Sequence, residues 1–104
     1  MAEYIPGPGE SVRTRKREQV KRPPMYKVLL HNDNYTTMDF VVLVLKTVFN
    51  KPQEEAVEIM LRVHNSGVGL CGLYPFEIAE TKVAVTLRMA QDRGFPLMCS
   101  MEPA

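Results

Sequence analysis

No stretch of this 104-residue chain approaches the roughly 20 consecutive apolar residues that cross a bilayer, so a membrane-spanning helix is not expected. Met1 to Glu10 shows neither a basic start followed by an apolar stretch nor a small-residue cleavage site. Nothing there reads as a secretory signal, and a cytoplasmic location is the expectation. Cysteine is scarce: the two thiols, Cys71 and Cys99, both sit among apolar residues and outside any C-x-x-C pair. Free buried thiols are the favoured reading. The sequence alone leaves a disulfide between them open, although the missing secretion signal argues against one.

The motifs of chemistry are missing as well. There is no G-x-S-x-G elbow and no Cys/His signature for nucleophilic catalysis. No G-x-x-x-x-G-K-[ST] is present to cradle phosphate. Gly67, Gly69 and Gly72 do fall at G-x-G-x-x-G spacing, but they follow a helix stop and run into the strand read over Val68 to Tyr74, without the strand-to-helix turn that a phosphate cradle needs. A metal site would have to draw on His31, Asp33 and His64, without the H-E-x-x-H helix or the close-set Cys/His pairs that such sites use. A binding domain with no cofactor and no metal is therefore expected, in place of an enzyme.

What is present is an ordinary globular composition, 45% apolar and 24% charged, at a length where one core stabilises one domain without disulfides or metals. The net charge of +1 hides a division. Residues 1–24 carry six Lys/Arg against three Glu, while residues 25–104 carry seven against nine acids. The first segment, MAEYIPGPGESVRTRKREQVKRPP, combines Pro, Gly and charge with little apolar content and is expected to be a disordered extension. Its cluster Arg13, Arg15, Lys16 and Arg17 offers a nucleic-acid contact, against the commoner reading of a solvated basic stretch. The mildly acidic body is poorly suited to a phosphate backbone, so neither nucleic acid nor membrane is the expected partner.

Within residues 25–104 the hydrophobic period changes repeatedly. Tyr26, Val28 and Leu30 alternate with Lys27, Leu29 and His31 and predict a strand, which the cluster Asn32-Asp33-Asn34 ends. Thr36 with Asp39 matches a capping signature, and Met38, Val41, Val42, Leu45, Val48 and Phe49 recur at helical spacing, predicting a helix over 38–49. A second helix starts at Pro52, has Glu54 and Glu55 in its first turn, turns Ala56, Ile59, Met60 and Val63 inward, and stops at Ser66-Gly67. His64 lies at the edge of that stripe. Val68 to Tyr74 reads as a strand, and Pro75 opens a third helix with the stripe Phe76, Ala79, Val83, Leu87 and Ala90, stopped by Gly94. A last strand follows over Leu97 to Met101. The order β-α-α-β-α-β is too short for parallel crossovers and predicts an α+β domain, three antiparallel strands with three helices packed on one side.

Taken singly, Asn32, Asp33 and Asn34 suit a turn, and His64 suits a helix end. Taken together, PPMYKVLLHNDNYTTMDFVVLVLKTVF, EIMLRVHNSGVGLCGLY, EIAETKVA and GFPLMCSMEP resemble the ClpS adaptor family over Pro23 to Pro103. The resemblance implies an adaptor that binds proteins whose first residue is Leu, Phe, Tyr or Trp. It would deliver them to the N-terminal domain of a ClpA-like Clp ATPase for degradation by the partner protease, with the N-terminal extension engaging the ATPase.

By that pattern Asn32, Asp33 and His64, together with Asn34, meet the substrate α-amino group. Thr36, Met38, Val41, Met60, Val63 and Leu97 form an apolar pocket, with Met38 as the gate against Cβ-branched residues. The chain departs from the pattern at Asn34, where a second acid is common, at Thr37, where Pro is common, and at His31, where an apolar residue is common. Loss of the acid removes one negative charge near the ligand, and loss of the proline is expected to loosen the start of the first helix. Asn34 and Thr37 would then mark a paralogue with altered residue preference.

Overall fold

The computed structural model describes residues 22–104. The basic cluster at residues 13–17 and nearly all of the 1–24 extension lie outside the described residues. Alternation in MYKVLLH sets the centre of the fold. These residues form strand β1, Met25–His31, whose Val28 and Leu30 side chains are fully buried on one face. Strand β2, Val68–Pro75, and strand β3, Met98–Pro103, pair antiparallel with it on either side, in the order β2-β1-β3. The helices α1 (Met38–Thr47), α2 (Gln53–Ser66) and α3 (Phe76–Arg93) close the fold, so the predicted order and class are found.

One core joins the buried face of β1 to all three helices, including Phe40, Val44 and Leu45 of α1, Ala56 and Ile59 of α2, and Ala79 and Ala90 of α3. Both cysteines are buried in it as free thiols. They lie on β2 and β3, which flank β1 at about 4.8 Å each, so the sulfurs' backbones are separated by roughly twice that spacing. A disulfide needs Cα atoms within about 7 Å, and the strand order therefore closes the alternative that the sequence left open. A register shift between Val28 and Leu29 leaves Cys71 as the extra residue of a bulge.

Three local expectations are corrected. The first helix is capped by Thr37, whose hydroxyl accepts the Phe40 N–H at 3.1 Å, and not by Thr36. Thr37 thus fastens the helix start that its replacement of proline was expected to loosen. Regular helix ends at Thr47, with Val48 as C-cap and its carbonyl held by Lys82 Nζ at 2.7 Å. The inward stripe of α3 runs through Ala79, Val83, Thr86 and Ala90, while Phe76 and Leu87 are 47% and 38% exposed. Spacings of four, three and four residues follow one helical face, and hydrophobicity alone chose Leu87 over its neighbour Thr86. Small side chains at 79 and 90 also let the helix approach the sheet closely, which Phe76 at the helix start does not need. Its ring instead packs edge-on to Tyr26, centroids 5.3 Å apart.

Candidate functional site

The end of β1 and the end of α2 meet through the backbone. Gly67, in the left-handed conformation at φ 90°, terminates α2 and donates its N–H to the Val63 carbonyl at 2.9 Å. Its own carbonyl accepts the Asn32 N–H at 2.9 Å, directly after β1 pairs with the start of β2. The turn after β1 is thereby held against the last turn of α2, where His64 stands.

Asp33 organises that turn. Its Oδ1 accepts the N–H groups of Tyr35 at 2.8 Å and Thr36 at 2.7 Å, and its Oδ2 accepts the Thr36 hydroxyl at 2.7 Å. Partial burial by itself would raise the Asp33 carboxyl, but the backbone and side-chain bonds from Thr36 and the backbone bond from Tyr35 outweigh it. The net effect holds the group below its ordinary value of 3.8, ionised throughout the neutral range. The Thr36 hydroxyl donates to Asp33, and the cap of α1 falls one residue later, at Thr37.

Between these elements lies a cavity of about 220 Å³. Asn32, Asp33, Asn34 and His64 line it as polar groups, and Thr36, Met38, Val41, Met60 and Val63 complete its wall. Val41, Met60 and Val63 are buried and form an apolar floor, while Met38, 44% exposed, and the exposed His64 stand at the surface. An engineered cavity of about 150 Å³ admits a benzene ring, so this one has room for a large aliphatic or aromatic side chain. The C-terminal end of α2 adds negative potential beside His64. Asp39 in the first turn of α1 and the Asp33 carboxylate offset the opposite pole of that helix. The mouth of the cavity thus combines acceptors with a field that favours a cation, above a floor that favours an apolar group.

Nine of the ten residues singled out from the sequence line this one cavity. Leu97 does not: it is 3% exposed, packed in the core before β3. His31 points elsewhere, with Nε2 2.7 Å from Ser100 Oγ on the neighbouring strand, so His31, Asp33 and His64 do not converge. Among the described residues no group of three or more His, Cys, Asp or Glu gathers as metal ligands. No helix among them is long and apolar enough to cross a membrane. The Thr36 hydroxyl and the Gly67 carbonyl escaped sequence reading, although D-x-x-T is itself a side-chain turn signal.

Comparison with known proteins places these features in context. The family model for the ATP-dependent Clp protease adaptor protein ClpS matches residues 21–100. The chain is 60% identical over 92 residues to the ATP-dependent Clp protease adapter protein ClpS of Desulfatibacillum aliphaticivorans, covering 88% of each chain. It is 55% identical over 87 residues to the adapter of the same name from Myxococcus xanthus, covering 84% of this chain and 81% of that one. Among solved structures, Agrobacterium tumefaciens ClpS2 bound to L-phenylalaninamide superposes with a TM-score of 0.77 at 38% identity, over 80% of this chain and all of that one.

Proposed function

The chain belongs to the ClpS family of Clp protease adaptors, proteins that serve a protease without being one, and from that premise we propose that its cavity receives the first residue of a substrate protein. The observation that carries the proposal is the convergence of Asn32, Asp33 and His64 at the mouth of an apolar cavity. The similar Agrobacterium protein, bound to L-phenylalaninamide, supports it, because that ligand is a free α-amine beside an aromatic side chain.

In this reading the substrate ammonium donates to the Asn32 amide oxygen, the Asp33 carboxylate and an unprotonated His64 ring nitrogen, with Asn34 beside them. The first side chain, Leu, Phe, Tyr or Trp, descends between Val41, Met60 and Val63. Met38 at the entrance excludes branching at Cβ. The bound protein is then handed to the N-terminal domain of a ClpA-like Clp ATPase in the cytoplasm.

Both halves are needed for selectivity. Burying a Leu or Phe side chain contributes roughly 1.5–3 kcal/mol, which by itself does not distinguish a chain end. Losing the charge from one side of a buried hydrogen-bonded pair costs about 2–5 kcal/mol, which does. Fluorescence polarisation at pH 7 with a Leu- or Phe-starting peptide, its N-acetylated twin and an Ile-starting control tests the reading. Tight binding of the free peptide alone is expected, weakening above about pH 8 as the α-amine loses its proton. Equal affinity for the free and acetylated forms would overturn it.

A further inference from the structure

Every acceptor direction of Asp33 but one is taken up by its own turn. A carboxylate offers about four lone-pair directions on two oxygens. Oδ1 uses both of its own on the backbone N–H groups of Tyr35 and Thr36, whereas Oδ2 uses one, on the Thr36 hydroxyl. Of the two oxygens, only Oδ2 is therefore open to a ligand, and the Thr36 hydroxyl fixes where that opening points. At 2.7 Å this O–H···O⁻ contact is of the short, charge-assisted kind.

We propose that Thr36 is a positioning residue for substrate recognition: its hydroxyl orients Asp33 so that Oδ2 presents a single open lone pair to the substrate ammonium at the cavity mouth. This rests on the reading of the cavity as an N-terminal-residue site. It assigns Thr36 a polar task in addition to its place in the cavity wall. The same three bonds that aim the carboxylate also hold it below its ordinary value, against the rise that partial burial alone would cause. A side chain of the same shape without the hydroxyl would leave Oδ2 with two open directions and the carboxylate anchored through Oδ1 alone.

Thr36→Val removes the hydroxyl and keeps the volume, and Thr36→Ser keeps the hydroxyl and removes the methyl. Two readouts apply to each variant, with thermal melts confirming the fold. The first is the affinity ratio between a free Phe-starting peptide and its acetylated twin at pH 7. Thr36→Val should bind the free peptide roughly tenfold more weakly, with the acetylated form unchanged, while Thr36→Ser stays within about twofold of wild type.

The second readout is the carbon-13 NMR titration of the Asp33 carboxyl in the unliganded protein. In Thr36→Val it should move upward from its lowered position, and in Thr36→Ser it should not. Stability carried by a lowered carboxyl is present above its unfolded value and lost as pH falls through the folded one, so the melts are run at pH 7. An undiminished ratio in Thr36→Val, beside a wild type that discriminates, overturns the positioning role and leaves the site reading standing. Equal losses in both variants also overturn it, because Thr36→Ser keeps the hydroxyl and its loss would show that the shape of the cavity wall, and not the hydroxyl, sets the affinity. A wild type that binds both peptides equally overturns the site reading and the positioning role together.

Discussion

Thr86 is the one buried polar side chain in the core, and its hydroxyl has no hydrogen-bond partner among the described residues. The Cys99 thiol lies beside it, pushed up to about 11 by burial against a weaker pull from the Thr86 hydroxyl. A thiol is a poor substitute for an oxygen partner, so the hydroxyl has largely lost its water without replacement. Thr86→Val should raise the unfolding free energy by about 1 kcal/mol, a gain of roughly 4–8 °C in melting temperature, read in parallel thermal and urea melts. A loss of stability would show that the contact with Cys99 is a true hydrogen bond.

The two adjacent threonines illustrate what a single residue conceals. Both Thr36 and Thr37 precede the helix, and the acid at Asp39 made Thr36 the better cap on pattern alone. In the fold the Thr36 hydroxyl donates to Asp33 while the Thr37 hydroxyl accepts the Phe40 N–H, an arrangement invisible to a rule about one helix end.

At the scale of elements, most of the fold was legible because period two and period 3.6 are local properties. Strand β1 and helix α2 carry clean alternation and a clean stripe, and their ends fall at Asn32 and Gly67 as their breakers indicate. Helix α3 was found, but its facing was misjudged by one position, since Thr86 looks like surface and Leu87 like core. Less visible still is the close approach of β2 to α2. A Cβ added at Gly69 would lie 2.6 Å from Val63 Cγ2 and 3.3 Å from the Ile59 carbonyl. Val63 is β-branched, packed and part of the cavity floor, so it has no free end with which to yield. Gly69→Ala should therefore destabilise the protein by about 1–3 kcal/mol and weaken peptide binding as well, because the displaced Val63 moves the floor. Chemical denaturation and fluorescence polarisation on the same preparation check both effects. Lost stability with unchanged affinity would mean that the strand, and not the helix, gives way.

For the whole molecule, the cavity was legible only as a collection of residue types. Asn32 and His64 are far apart along the chain, and no spacing rule joins a strand end to a helix end. The family resemblance brought them together in advance, and the pairing of β1 with β2 does so physically. Leu97, which the same resemblance assigned to the pocket, is buried in the core beside Val41, Met60 and Val63 and does not itself line the cavity. Because the site is built from both halves of the domain, a ligand for it should stabilise the entire fold by RT ln(1 + [L]/Kd). A free Phe-starting peptide at 100 times its Kd should add about 2.7 kcal/mol, seen as an upward melting shift that the acetylated peptide does not produce. Equal shifts from the two peptides, or none, would contradict this coupling.

The 2.9 Å bond from the Asn32 N–H to the Gly67 carbonyl has a temporal meaning too. It forms only when the ends of a loop that contains both intervening helices have met. A chain still emerging from synthesis, or one that has begun to unravel, holds Asn32 and His64 as unconnected side chains with no grip on a terminus. On the proposed reading, the grip on a terminus is therefore a property of the closed loop and of neither end alone.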